Sequence, residues 1–154
     1  MASAPRPYTK REVAFANPII KLMSRANTWI YRATNGRVGG RFLRGAPVLL
    51  LTTVGRKSGA PRVAPLIYGR DGDRVLLIAS KGGMDHHPLW YHNLVATPEV
   101  EVQIGAEVRR MIARTASPAE KKALWSKMVA LYRDYDDYQA RTARDIPLVI
   151  LTPR

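Results

Sequence analysis

The chain has 154 residues, and 25 Lys and Arg against 12 Asp and Glu give it a formal net charge of +13. Hydrophobic residues make up 46%, which excludes a disordered or collagen-like chain, and the length fits one domain. The absence of cysteine excludes disulfides, zinc–thiolate sites and cysteine nucleophiles. No apolar run is long enough to span a membrane and no signal peptide is visible, so a cytoplasmic location is expected.

The positive charge is unevenly distributed. Residues 1–45 carry nine basic residues and one acidic residue, a surplus of eight. A smaller surplus between residues 46 and 85 is concentrated in Arg56, Lys57 and Arg62. This excess predicts an acidic partner, which could be nucleic acid, an anionic membrane surface or a polyanionic small molecule. No nucleic-acid-binding motif is recognisable, so a nucleic-acid partner is not expected.

The N-terminal region is predicted to have two parts. Residues 1–17 have the composition of a flexible basic tail, and residues 18–35 are predicted to form an amphipathic helix that opens a single domain, 18–154. Two interpretations of this helix remain open: peripheral membrane contact or cover over a substrate site, and packing on the domain with a solvated basic face. Its predicted apolar face contains Ile19, Leu22, Met23, Ala26, Trp29 and Ile30.

The rest of the chain is predicted to contain short strands and two further helices. The first three strands are expected in meander order, and the helices start near Pro88 and at a capping box, Ser117 to Glu120. Because hairpins join most strands, the pattern favours an antiparallel sheet or small barrel with flanking helices, an α+β fold. The predicted strands are 47–54, 62–68, 74–79, 100–104, 108–113 and 146–151.

Two glycine-containing basic loops are candidate anion sites. The turn from Gly55 to Arg62 supplies backbone amides, a hydroxyl and three cations, the donors that hold phosphate or carboxylate oxygens. It is not a Walker loop, because a strand rather than a helix follows it, and a plain solvated turn is the alternative. The segment 79–83 ends the third strand; there Lys81 and the two glycines could contact the same anion, and Ser80 could hydrogen-bond a ring carbonyl or nitrogen.

Histidines and tyrosines complete the candidates. Asp85, His86, His87 and His92 do not have the spacing of a metal site, so no metal is predicted, and histidines that are exposed or that stabilise the loop are favoured. Tyr132, Tyr135 and Tyr138 are three residues apart, on one helix ridge or on a helix that breaks near Asp134. They could form a wall for a flat ligand or pack in the core.

The sequence contains no hydrolase constellation, and a basic surface beside tyrosines suits a protein that holds a flat anionic cofactor. Several blocks resemble the actinobacterial deazaflavin-dependent nitroreductase family: residues 23–32, 50–66, 79–83, 88–94 and 132–151. The resemblance implies an antiparallel split β-barrel of the FMN-binding type. It also implies hydride transfer from reduced coenzyme F420 to flat acceptors such as quinones, enones or nitroaromatics. The phosphate and polyglutamate tail of F420 would be the acidic partner.

The resemblance also implies site residues. Tyr135, and as second choice Ser80, would hydrogen-bond or protonate the acceptor, and Trp29 would join the three tyrosines at the substrate. A departure is Ile67, where some relatives have a tyrosine; Tyr68 follows it and should face the other way. An FMN-dependent reductase and a non-catalytic module that binds anionic surfaces remain alternatives. The implied cofactor-binding residues are Arg56, Lys57, Ser58, Gly59, Ala60, Arg62, Pro65, Ala79, Ser80, Lys81, Trp90, Tyr91 and Asn93.

Overall fold

The first helix starts earlier than predicted. The computed structural model describes residues 6–41 and 45–154, without the side chains of residues 13–24. Helix α1 (Lys10–Thr34) begins after a capping box, in which Thr9 Oγ1 accepts from Glu12 N at 3.2 Å and Glu12 Oε2 accepts from Thr9 N at 2.7 Å. The predicted tail 1–17 is therefore wrong for residues 10–17, which are helical, and residues 1–5 lie outside the described residues. The helix ends at Asn35, which has a positive φ.

The described residues form seven strands and three further α-helices. The strands are β1 (Val48–Val54), β2 (Pro61–Ile67), β3 (Gly69–Asp71), β4 (Arg74–Ile78), β5 (Glu99–Ile104), β6 (Glu107–Thr115) and β7 (Leu148–Pro153). The helices are α2 (Leu89–Ala96), α3 (Pro118–Leu131) and α4 (Asp134–Arg141), and a short 3-10 turn spans Lys81–Gly83.

The strands form one antiparallel sheet in the order β2-β1-β5-β6-β7-β4-β3. The predicted meander of the first three strands is wrong, because β4 pairs with β3 and the C-terminal β7 rather than with β2. A single residue, Tyr68, connects the edge strands β2 and β3. The sheet must therefore curl until its two edges meet at Tyr68. The predicted α+β fold, an antiparallel barrel with flanking helices, is confirmed.

The core follows the two-residue alternation of the strands. Residues such as Leu49, Leu51 and Tyr68 point into the barrel, where Leu94 of α2 joins them. The outer side of β4 and β7 is covered by α3 and α4, and the outer side of β1 is covered by α1. Tyr68 thus lies inside the barrel while Ile67 packs outside it, as predicted for neighbours on a strand.

Among the side chains described for helix α1, Tyr31 is the one that packs into the core. The Tyr31 side chain is 1% exposed, and its hydroxyl donates to Gln103 O at 3.2 Å and accepts from Gly105 N at 2.8 Å. Trp29, predicted to lie on the packed face, is 72% exposed. The predicted face also includes residues 19, 22 and 23, whose side chains lie outside the description. Among the described residues, no helix combines the length and apolar character that crossing a membrane requires.

Candidate active site

The basic turn between β1 and β2 is closed by its own backbone. Gly55 N donates to Ala60 O at 2.8 Å, and Gly59, at φ +71°, donates to Gly55 O at 2.7 Å. This closure leaves the Arg56, Lys57 and Arg62 side chains exposed. None of the three makes an ion pair with a carboxylate of residues 6–41 or 45–154. Their charges are therefore available to an external anion.

The side chain of Asn93 in α2 supports this turn through hydrogen bonds. Its Oδ1 accepts from Arg56 N at 3.1 Å, and its Nδ2 donates to Thr53 Oγ1 at 3.1 Å. The side chain is 7% exposed, so both ends of the amide are committed inside the protein. The sequence placed Asn93 beside the cofactor. In the structure its side chain forms hydrogen bonds that support the turn.

His92 lies where the two basic loops approach each other. Burial lowers its pKa below the ordinary histidine value, and the positive charges of Arg56 and Lys81 lower it further. Arg56 comes from the turn, whereas Lys81 comes from the segment that follows β4. Residues of both predicted anion loops therefore lie near His92, and we call Arg56, Lys57, Arg62 and Lys81 the cationic cluster.

The segment after β4, residues 79–87, is the second loop. Lys81 has a φ of +45°, which is unusual for a residue with a side chain, and Gly82 and Gly83 are also left-handed. Lys81 Nζ lies 2.8 Å from His86 Nε2, and His86 Nδ1 lies 2.8 Å from Asp85 Oδ1. An ammonium can only donate, so His86 accepts from Lys81 and donates to Asp85. This agrees with the loop-stabilising role favoured for the histidines, and no three potential metal ligands come together in the described part of the chain.

The three tyrosines form a tyrosine cluster at the junction of α3 and α4. The helix is interrupted between Leu131 and Asp134, which is one of the two arrangements predicted for the tyrosines. The ring centroids lie 5.2 Å to 6.3 Å apart, and the Tyr132 and Tyr138 hydroxyl oxygens are 3.2 Å apart. Gly83 touches this junction so closely that an added Cβ would lie 2.8 Å from Tyr138 O. The 79–87 loop thus reaches the cationic cluster through Lys81 and the tyrosine cluster through Gly83.

The tyrosines differ in burial. Tyr132 and Tyr135 are each 4% exposed and belong to the core outside β4 and β7, whereas Tyr138 is only half-buried. The first two tyrosines therefore pack in the core, one of the two predicted roles, whereas part of the Tyr138 ring remains exposed. Burial raises the pKa of Tyr135 and Tyr138 well above the ordinary phenol value. Both phenols stay protonated at neutral pH and can donate hydrogen bonds.

The other predicted site residues are spread around these features. Pro65 lies on the outer face of β2, opposite Leu50, and Ala79 and Ser80 are buried at the start of the 79–87 loop. Trp90 and Tyr91 pack against the barrel core, and the Tyr91 hydroxyl is 2.9 Å from Thr115 Oγ1. A separate cavity of about 200 Å³ touches Tyr91 but no member of either cluster.

Sequence reasoning missed one residue of this site, Arg144. It lies between α4 and β7, and its guanidinium reaches the backbone of the 79–87 loop from some sixty positions further along the chain. No local motif marks it, because most of its partners are backbone carbonyl groups. The pairing of β4 with β7 and the contact of Gly83 with α4 bring the two segments together.

The donor set fits a cofactor that carries a phosphate and carboxylates. The cationic cluster offers two arginines and two lysines, and guanidinium and ammonium groups are the usual partners of such oxygens. The adjoining tyrosine cluster offers aromatic surface to a flat ring system.

Comparison with known proteins identifies the family. Residues 23–153 match the family model described as F420H2-dependent quinone reductase. An F420H2-dependent quinone reductase of Mycobacterium tuberculosis is 44% identical over 128 residues, which cover 81% of this chain and 86% of that protein. A solved F420H2-dependent reductase is 39% identical with a TM-score of 0.65, covering 69% of this chain and 94% of its own. Another solved structure, a domain-swapped dimer, is 34% identical with a TM-score of 0.67, covering 82% of this chain and 99% of its own.

These similarities overturn the non-catalytic alternative, and they name F420 rather than FMN. The chain therefore belongs to the F420H2-dependent quinone reductase family and is an F420-dependent oxidoreductase.

Proposed function

We propose that this protein transfers a hydride from reduced F420 to flat acceptors, with quinones first and enones and nitroaromatics as further classes. The observation that carries the proposal is the position of the 79–87 loop. It joins the cationic cluster, in which Arg56, Lys57 and Arg62 make no ion pair with a described carboxylate, to a tyrosine cluster with a half-buried phenol. The family of the chain supports the same chemistry.

The cationic cluster binds the phosphate and tail of F420 in this proposal. Arg56, Lys57 and Arg62 are exposed on a turn whose backbone is fixed by internal hydrogen bonds and by Asn93. Because the turn is already rigid, little conformational entropy is lost when an anion binds to it. Lys81 contributes from the opposite loop.

The tyrosine cluster contacts the acceptor. When bound, reduced F420 supplies the hydride. A quinone that accepts a hydride needs one further proton to become a quinol, and negative charge develops on its oxygen. A protonated phenol that hydrogen-bonds this oxygen stabilises the charge and can deliver the proton.

Among the tyrosines, Tyr138 is the best placed for this contact. Its ring is half-buried and its hydroxyl is 3.2 Å from the Tyr132 hydroxyl, which supports its orientation. Tyr135, the residue predicted from the sequence, packs behind it with 4% of its surface exposed. We therefore assign the acceptor contact to Tyr138 first, and keep Tyr135 and Ser80 as the comparison variants.

The direct test is turnover. The purified protein is mixed with reduced F420 and menadione, and the return of the oxidised F420 absorbance is followed against a control without enzyme. We expect rapid oxidation with menadione, and slower oxidation with cyclohexenone or a nitroaromatic acceptor. No turnover above the control with any of these acceptors would contradict the proposal. A flavin spectrum in the purified protein, with menadione reduction that does not need F420, would favour the FMN-dependent alternative.

The exposed side of α1 offers a second contact. Trp29 is 72% exposed, and Arg25 and Arg32 are exposed on the same helix. Aromatic and basic side chains together suit an anionic lipid surface, where apolar quinones are dissolved. We propose peripheral contact there, and expect Trp29→Ala to reduce co-sedimentation with anionic vesicles but not turnover of soluble menadione. Equal co-sedimentation of the two proteins would contradict the contact.

A further inference from the structure

One arginine outside both clusters forms several hydrogen bonds to the 79–87 loop, which joins the two clusters. Arg144 Nη2 donates to Ser80 O at 2.6 Å, Nη1 donates to Ala79 O at 3.3 Å, and Nε donates to Met84 O at 2.8 Å. Nη1 also lies 2.8 Å from His87 Nδ1, which accepts from it. One guanidinium therefore binds both ends of the turn at Lys81–Gly83.

Arg144 is itself held in place. Its backbone carbonyl accepts from Gln139 Nε2 at 2.8 Å, and Gln139 Oε1 accepts from Ile146 N at 3.0 Å and from Lys121 Nζ at 3.0 Å. Gln139 belongs to α4, and Ile146 precedes β7 and is fully buried. The arginine is therefore anchored to the rigid part of the fold on the side away from the loop.

The loop requires these hydrogen bonds because its backbone is strained at Lys81. Lys81 adopts a positive φ of +45° with a side chain attached, and two left-handed glycines follow it. A conformation of this kind persists only when surrounding contacts fix it. Within the turn, Gly83 N donates to Ser80 O at 2.9 Å and Met84 N donates to Lys81 O at 3.2 Å. Arg144 binds Ser80 O, the acceptor of the first of these bonds.

We propose that Arg144 is a positioning residue for the cofactor. By holding the carbonyl groups of Ala79, Ser80 and Met84, it keeps Lys81 at the cationic cluster and Gly83 against Tyr138. Arg144 thereby sets the position of the F420 phosphate and tail relative to the acceptor at Tyr138, without contacting either. This inference rests on the proposed use of F420 at this site.

A lysine cannot replace this arginine fully. The planar guanidinium carries donors in several fixed directions, which three carbonyls and an imidazole nitrogen use here. An ammonium is a point donor at the end of a flexible chain. We therefore expect Arg144→Lys to retain part of the function and Arg144→Met to retain little.

The test compares Arg144→Met and Arg144→Lys with Arg74→Met. Arg74 lies at the start of β4, the strand that precedes the loop, and makes an ion pair with Asp71, so its variant removes a partly buried arginine without removing a contact to the loop. Equilibrium binding of oxidised F420 is measured by fluorescence titration, and amide hydrogen exchange is measured at Gly83 and Met84, with Leu76 and Leu77 of β4 as internal references.

We expect Arg144→Met to bind F420 at least tenfold more weakly and Arg144→Lys about threefold to tenfold more weakly, with Arg74→Met within twofold of the wild type. Exchange at Gly83 and Met84 should become faster in the Arg144 variants, while exchange at Leu76 and Leu77 stays unchanged. Unchanged affinity or unchanged loop exchange in Arg144→Met overturns the inference, as does an equal loss in Arg74→Met.

If Arg144→Met does not fold, Arg144→Lys decides by the same criteria. The failure of the proposed function has a different signature, because the wild-type protein itself would then not bind F420. F420 binding by the wild type, combined with wild-type affinity in the Arg144 variants, overturns only the role of Arg144.

Discussion

The basic turn between β1 and β2 and the tyrosine cluster are built differently. The turn is made of consecutive, exposed residues whose charges contribute little to folding. The tyrosine cluster packs on the outer side of β4 and β7, where buried rings contribute strongly to stability. Cofactor affinity should therefore be separable from protein stability at the turn, whereas acceptor turnover and protein stability should be coupled at the tyrosine cluster.

The largest expected effect is on cofactor binding by the turn. The double substitution Lys57→Ala with Arg62→Ala removes two exposed cations and should weaken F420 binding by about thirtyfold at low salt. Added salt should reduce the difference between variant and wild type, because exposed charges are screened. Fluorescence titrations of F420 at low and high salt measure both effects.

The matched control is Lys122→Ala with Arg110→Ala, which removes two exposed cations from α3 and β6. It should leave F420 affinity within about twofold of the wild type. Both double variants should melt close to the wild-type temperature. Equal losses of affinity in the two variants would show that net charge, not the turn, attracts the cofactor.

Asn93→Ala should lower both cofactor affinity and protein stability, because this buried side chain supports the exposed turn. The substitution leaves the Arg56 N–H and the Thr53 hydroxyl without their partner, and we expect the free energy of unfolding to fall by about 1–3 kcal/mol. The loosened turn should also bind F420 about tenfold more weakly. Urea unfolding and F420 titration check the two parts, and a stability loss with unchanged affinity would remove Asn93 from the account of the site.

Tyr138→Phe tests the tyrosine cluster, where acceptor turnover and protein stability should be coupled. Removing the hydroxyl deletes its contact with Tyr132, which should cost about 0.5–1.5 kcal/mol of unfolding free energy. It should also lower kcat for menadione about tenfold, with F420 affinity unchanged. Tyr135→Phe is the control, since its ring lies behind Tyr138. A larger loss of kcat in Tyr135→Phe would restore the assignment made from the sequence.

Local chemistry made much of this molecule predictable. The basic turn, the Ser117 capping box and the tyrosine spacing are each encoded within a few neighbouring residues. The family resemblance added the barrel and the cofactor, which the family model supports.

Features that depend on distant segments were not predictable. Trp29 and Tyr31 are both aromatic and two positions apart, and only the polar partners on β5 and the following turn select Tyr31 as the anchor of α1. The pairing of β4 with β7 decides that Arg144 meets the 79–87 loop. Hairpin patterns favour sequential strands, so the predicted meander failed where the chain pairs over long range.

The smallest effect concerns His92, where the two loops meet. Its pKa is lowered by burial first and then by the charges of Arg56 and Lys81, so the ring is mostly neutral at pH 7 in the free protein. A bound phosphate brings negative charge next to these cations and should raise the His92 pKa toward the ordinary histidine value. A group whose pKa rises on binding takes up protons, so F420 affinity should increase slightly as the pH falls through that pKa. NMR titration of histidine-labelled protein with and without F420 measures the shift, and His92→Gln should abolish that part of the pH dependence. An unchanged or lower His92 pKa in the complex would place the anion away from the junction, and the cationic cluster would then not act as one site.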